Sequence, residues 1–130
     1  MKIKLFFLAL VITATGFAEN LVLENQTSYP IKTSRMVIQW ASTAKEVEEG
    51  NSALMYGLKL NPASLQELTQ AGKVSLSIPQ KAEYFRVLVW SKGEGDPDLH
   101  TNWVEVVPTK TYTLKAEHLV PSVLMLGTGC

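Results

Sequence analysis

The chain has 130 residues, with 12 Lys+Arg against 12 Asp+Glu, 46% hydrophobic residues and one cysteine. That length suits a single domain, and the zero net charge argues against a dedicated nucleic-acid binder, which carries a basic surplus. One cysteine rules out an internal disulfide and any zinc site built on several thiolates, and the apolar content argues against a largely disordered chain.

Residues 1–18 read as a secretory signal peptide. Lys2 and Lys4 supply a positive n-region, Leu5 to Ile12 an apolar h-region, and Gly16 and Ala18 the small residues before a cut between Ala18 and Glu19. The apolar run falls short of the about 20 residues that a spanning helix needs. The expected destination is the periplasm or extracellular space of a bacterium, with no transmembrane segment in the mature form. Removal of Lys2 and Lys4 leaves 10 positive charges (12 − 2) against 12 negative. Asn25-Gln26-Thr27 matches a glycosylation sequon, which matters only in a eukaryotic secretory pathway.

Leu21 to Glu24 reads as a short strand, followed by a polar turn. In Ile31 to Ser42, Met36, Ile38 and Trp40 recur at period two, with Arg35, Val37 and Gln39 on the opposite face. Ala44 to Asn51 is charged and reads as a loop or a single helical turn. Ser52 to Leu60 alternates again through Leu54, Tyr56, Leu58 and Leu60. Ser64-Leu65-Gln66-Glu67 has the capping-box pattern, which predicts a short helix ending near Gly72. Lys73 to Ile78 alternates as a strand and stops at Pro79. Tyr84 to Trp90 and Asn102 to Val107 form the clearest strand pair; Thr109 to Lys115 and Leu119 to Leu126 complete the set. About seven short strands with one short helix suggest an all-β antiparallel sandwich over residues 19–130. The alternative is an α+β domain with one sheet covered by the helix.

Parity makes the strand pair informative. Setting Val89 opposite Val104 and Val87 opposite Val106 makes one face wholly aliphatic. The other face then holds Trp90 opposite Trp103 and Leu88 opposite Glu105, with Arg86 diagonal to Glu105 and able to pair with it. A Trp pair at the mouth of a polar loop is either a stacking platform for a sugar or protein partner, or a cross-strand pair that stabilises the hairpin. Trp90, Trp103, Arg86 and Glu105 are the candidate binding residues.

The intervening loop, Gly93 to His100, places Asp96, Asp98 and His100 at alternate positions. An extended backbone would turn all three to one side, where they could hold calcium or zinc; the competing reading is a solvated connection using Gly, Asp and Pro for turn geometry. No nucleophile elbow, phosphate-binding glycine loop or zincin motif occurs. His118 reads as a turn residue. Cys130 could join two chains or a partner, or stay a free thiol, and Val123 to Leu126 could add to another sheet. The leading expectation is a small exported binding protein without catalysis, for a protein or carbohydrate partner. The alternatives are a metal-binding protein or metal-dependent enzyme using Asp96, Asp98 and His100, and a subunit linked through Cys130 or its last strand.

Overall fold

A strand that is buried on both faces needs cover on both sides, and two strands of this protein are in that position. The computed structural model describes residues 19–122. In it β2 (Arg35–Ala41) and β5 (Tyr84–Trp90) pair antiparallel at the centre of a sheet, and every residue after the first of each strand is buried. The other strands are β1 (Asn20–Asn25), β3 (Leu65–Glu67), β4 (Gly72–Ser77), β6 (Leu99–His100), β7 (Val104–Glu105), β8 (Thr111–Leu114) and β9 (Val120–Pro121). The larger sheet runs β3-β2-β5-β6-β9, with β7 also on β5; the smaller runs β4-β1-β8. The β1–β8 pair is parallel and all others are antiparallel. Among the described residues one α-helix, α1 (Ala44–Tyr56), completes an all-β, sandwich-like fold.

The two sheets enclose the main core. Leu21, Leu23, Leu76 and Leu114 of the smaller sheet meet Met36, Ile38, Trp40, Phe85, Val87 and Val89 of the larger. Phe85 links the layers: its ring is 5.6 Å from Trp40 and meets Tyr112 edge-on at 5.0 Å. Tyr112 Oη in turn accepts from Val107 N–H and donates to the Glu105 carbonyl, both at 2.7 Å. The opposite face of the larger sheet is covered by α1, where Leu54 packs with Val37, Leu88 and Trp90 in a second apolar cluster. The expected aliphatic face is therefore the sandwich interior, and the face carrying Arg35, Val37 and Gln39 is buried too, beneath the helix.

The helix lies where strand and loop were expected. Thr43-x-x-Glu46 is the capping sequence in use: Thr43 Oγ1 accepts from Glu46 N–H at 3.1 Å, and Glu46 Oε1 accepts from Ser42 N–H at 2.7 Å. Gly50, Ala53 and Leu54 form the buried face, so the alternation of Leu54, Tyr56, Leu58 and Leu60 was a coincidence of spacing. Conversely, the predicted helix at 64–72 is absent. Pro62–Ser64 makes one 3-10 turn, and Leu65–Glu67 then joins the sheet edge as β3, where Gln66 accepts from Trp40 Nε1 at 3.0 Å. Pairing with β2 outweighs the local capping pattern.

The β5 register also differs from expectation. Phe85 lies opposite Val104, and Val89 opposite Leu99. Four steps along β5 thus face five along its partner, which is a bulge at Thr101–Asn102. Thr101 fills the interrupted ladder, since its Oγ1 accepts from Val87 N–H at 2.9 Å. Val104 therefore meets Phe85 in place of Val89, a shift of four residues that preserves the facing of each side chain. The Asn25 sequon is turned inward: Asn25 is buried and its amide donates to the Tyr29 carbonyl at 2.8 Å. The signal segment (residues 1–18), Val123 to Leu126 and Cys130 lie outside the described residues.

Candidate functional site

The face of β5 beneath the helix carries a cation. Arg86 is 1% exposed, opposite Gln39 on β2. Its Nε donates to Gln39 Oε1 at 2.7 Å, its Nη1 to Asn51 Oδ1 at 3.0 Å and its Nη2 to the Gly50 carbonyl at 2.9 Å. The guanidinium lies 4.5 Å from the centre of the Trp103 ring, and Trp103 Nε1 donates to the same Asn51 oxygen at 2.9 Å. Every partner is neutral, so no opposite charge offsets desolvation, which lowers the Arg86 pKa to about 10. That value still leaves the group charged at neutral pH. Gly50 permits the approach: a Cβ there would stand 3.1 Å from Trp103 Cζ2 and 3.4 Å from Arg86 Nη2.

The expected Trp90/Trp103 platform is not formed. Trp90 is opposite Arg35 on β2, is buried, and lies 4.5 Å beneath the Arg35 guanidinium, which also pairs with Glu67. Trp90 Nε1 donates to the Gly95 carbonyl at 2.8 Å and so anchors the β5–β6 loop. Trp103 is half-buried against Arg86. Glu105 lies opposite Tyr84 and is exposed, and Arg86 directs its donors to the helix and Gln39 instead. Three of the four candidate binding residues hold the interior together.

The Asp96, Asp98 and His100 side chains diverge. Asp98 accepts from both the backbone N–H and the hydroxyl of Ser91. Partial burial pushes its carboxyl pKa up, but the Ser91 hydrogen bonds and the Lys92 charge win and hold it below the usual value. His100 points beneath the helix, is 6% exposed, and shares a 3.1 Å hydrogen bond between Nδ1 and Ser122 Oγ. Burial and the nearby Arg86 charge lower its pKa. Asp96 is exposed beside the end of the helix. No three His, Cys, Asp or Glu side chains group together among the described residues. The Ser122–His100 pair has the composition of a nucleophile and base, but no carboxylate hydrogen-bonds the ring among the described residues, and Arg86 opposes the imidazolium that proton transfer would create. It acts as a tie between β6 and the end of β9. His118 Nδ1 accepts from Lys115 N–H at 3.0 Å, within its own turn.

An opening remains where the helix stops. Gly57 takes a left-handed conformation at φ 67°, and the N–H groups of Gly57 and Leu58 both return to the Ala53 carbonyl. This cap turns Tyr56 and Leu58 outward, where they are 70% and 57% exposed. Beside them runs an open cleft of about 680 Å³, walled by Met55, Pro97, Leu99 and Pro121 and bounded by Asp96 and Ser122. A smaller cleft of about 240 Å³ adjoins it through Leu54, Gly57, Asp96 and Pro97, and Lys59 and Arg35 line that one. The sequence reading missed this site because it missed α1. The signal was present in Thr43-x-x-Glu46 followed by Gly57. No protein-family model matches the chain, and no curated protein matches it.

Replacing Arg86 with Met is expected to cost about 2–4 kcal/mol in urea unfolding, because Gln39 Oε1, Asn51 Oδ1 and the Gly50 carbonyl each lose a charged donor, Asn51 Oδ1 keeping that of Trp103 Nε1. Unchanged stability would show that the network contributes nothing net. The His100 prediction concerns pH. Its folded pKa is below the ordinary histidine value of 6.5, so the unfolded chain binds the proton more readily and stability falls as pH drops through 6.5 toward the folded value. The thermal midpoint should decline over that window, and less steeply in His100→Gln. Equal slopes would contradict the assignment.

Proposed function

We propose that this chain is a small exported binding protein of the bacterial envelope or extracellular space, acting without catalysis through the cleft at the C-terminal end of α1. The observation that carries the reading is the outward placement of Tyr56 and Leu58 beside an open, mostly apolar cleft. Exposed apolar side chains grouped at a concavity are typical of contact sites, whereas scattered ones are ordinary. The base of the cleft is firm: Leu54 belongs to the buried cluster under the helix, and Trp90 anchors the loop that carries Pro97. No described helix is long and apolar enough to cross a membrane. Export is supported by the residue 1–18 pattern, whose expected cut before Glu19 falls just ahead of β1 at Asn20.

Two measurements test the reading. Tyr56→Ser/Leu58→Ser should leave the unfolding midpoint almost unchanged, within about 0.5 kcal/mol per surface substitution, while abolishing ligand-induced amide shifts around the cleft. Ligands from a fragment or glycan library whose shifts map to another surface would contradict the site. Expressed in a bacterium, the chain should be recovered outside the cytoplasm with Glu19 as its first residue by mass spectrometry. An intact Met1 on cytoplasmic protein would overturn the export claim.

A further inference from the structure

The charges around the cleft narrow the class of ligand. Its lining holds two carboxylates, Asp96 and Asp98, and no lysine or arginine. Asp98 keeps its charge, since the Ser91 hydrogen bonds and Lys92 favour the ionised form. Asp96 makes no ion pair and no side-chain hydrogen bond among the described residues. A Cβ on Gly57 would stand 3.3 Å from its Oδ2, so this carboxylate sits against the last turn of α1.

That placement opposes ordinary helix electrostatics. The C-terminal end of a helix carries partial negative charge on its free carbonyls and is stabilised by nearby cations. Here the last turn of α1 has no basic residue, and a carboxylate adds to the negative potential. Lys59 lines the adjoining cleft and not this one, and forms no ion pair with Asp96, while Arg35 is engaged by Glu67 and Trp90. The apolar walls of Met55, Leu99 and Pro121 thus meet a negative rim, with the exposed Tyr56 ring at the mouth offering a π face to a cation.

We infer that the cleft takes a small organic cation, an ammonium group carried on an apolar or aromatic body, with the body against Leu99 and Pro121 and the ammonium at Asp96 and the helix end. This rests on the cleft being the contact site. A neutral ligand would leave the negative rim unpaired, and an anion would be repelled by it.

Three soluble probes share one body and differ in charge: phenethylamine, protonated at neutral pH, 2-phenylethanol and phenylacetate. Each is titrated into the isotopically labelled full mature protein at millimolar concentration, following the amide shifts of Tyr56, Gly57 and Leu99. Phenethylammonium should bind about five- to tenfold more tightly than 2-phenylethanol, with phenylacetate weakest. The advantage should vanish in Asp96→Asn and shrink with added salt. Equal affinity for amine and alcohol, or an advantage that survives Asp96→Asn, would overturn the cation assignment while leaving the cleft as a site for apolar ligands. Failure of all three to move the cleft resonances would overturn both this inference and the proposed contact site. Concentration-dependent shifts there without any probe would assign the cleft to a second copy. Resonances of residues 123–130 moving together with the cleft under all three probes would assign it to the chain's own tail; either result overturns the proposal.

Discussion

A single buried guanidinium joins the helix to the sheet, and the geometry of this protein's open cleft follows from it. Arg86 reaches from the centre of β5 to Gln39 on β2 and to Gly50 and Asn51 on α1, so one side chain spans three elements. A charge taken out of water without a counter-ion is costly. Here three directed hydrogen bonds and the face of Trp103 replace its hydration. Directionality matters more than attraction alone. An apolar contact would tolerate sliding of α1 along the sheet, whereas a planar donor set with fixed acceptors does not. Gly50 and Asn51 are adjacent in the helix, so both rotation and translation of α1 are defined.

The cleft depends on that placement. α1 ends one residue before Gly57, and where this end falls relative to the β5–β6 loop decides whether a space opens between them. The loop is fixed independently, by Trp90 Nε1 on the Gly95 carbonyl and by Asp98 on Ser91. Two rigidly held walls leave a concavity whose shape does not rely on a bound partner. The central strands thus serve two roles: Phe85, Val87 and Val89 pack the sandwich, while Arg86, Leu88 and Trp90 organise the helix side.

Much of this was legible from residue order, for a physical reason. Side chains alternate strictly along a strand, so Met36, Ile38 and Trp40, or Phe85, Val87 and Val89, announce a shared face wherever the strand pairs. The face assignment of Val104 survived a register error of four residues because four is even. The bulge at Thr101–Asn102 was not legible, since it depends on Thr101 Oγ1 replacing a backbone acceptor for Val87. The helix was misread because two capping patterns compete. Thr43–Glu46 precedes a segment rich in charge and carrying Gly50, which weakens its helical appearance, while Ser64–Glu67 contains the three residues, Leu65 to Glu67, that edge pairing with β2 claims. The tryptophans read from the sequence as a facing pair, for binding or for the hairpin, because their separate places beneath α1 follow only once Ala44–Tyr56 is a helix.

The most direct measurement of the central claim is solvent exchange of the Arg86 guanidinium, followed by nitrogen-detected magnetic resonance on the unmodified protein. A side chain fastened to Gln39, Asn51 and Gly50 should show an Nε–H as protected as the neighbouring core amides, with its Nη protons resolved because rotation about the guanidinium is blocked. Exchange at the rate of an exposed arginine, with averaged Nη signals, would mean that the clamp does not exist and that α1 is held by its apolar face alone.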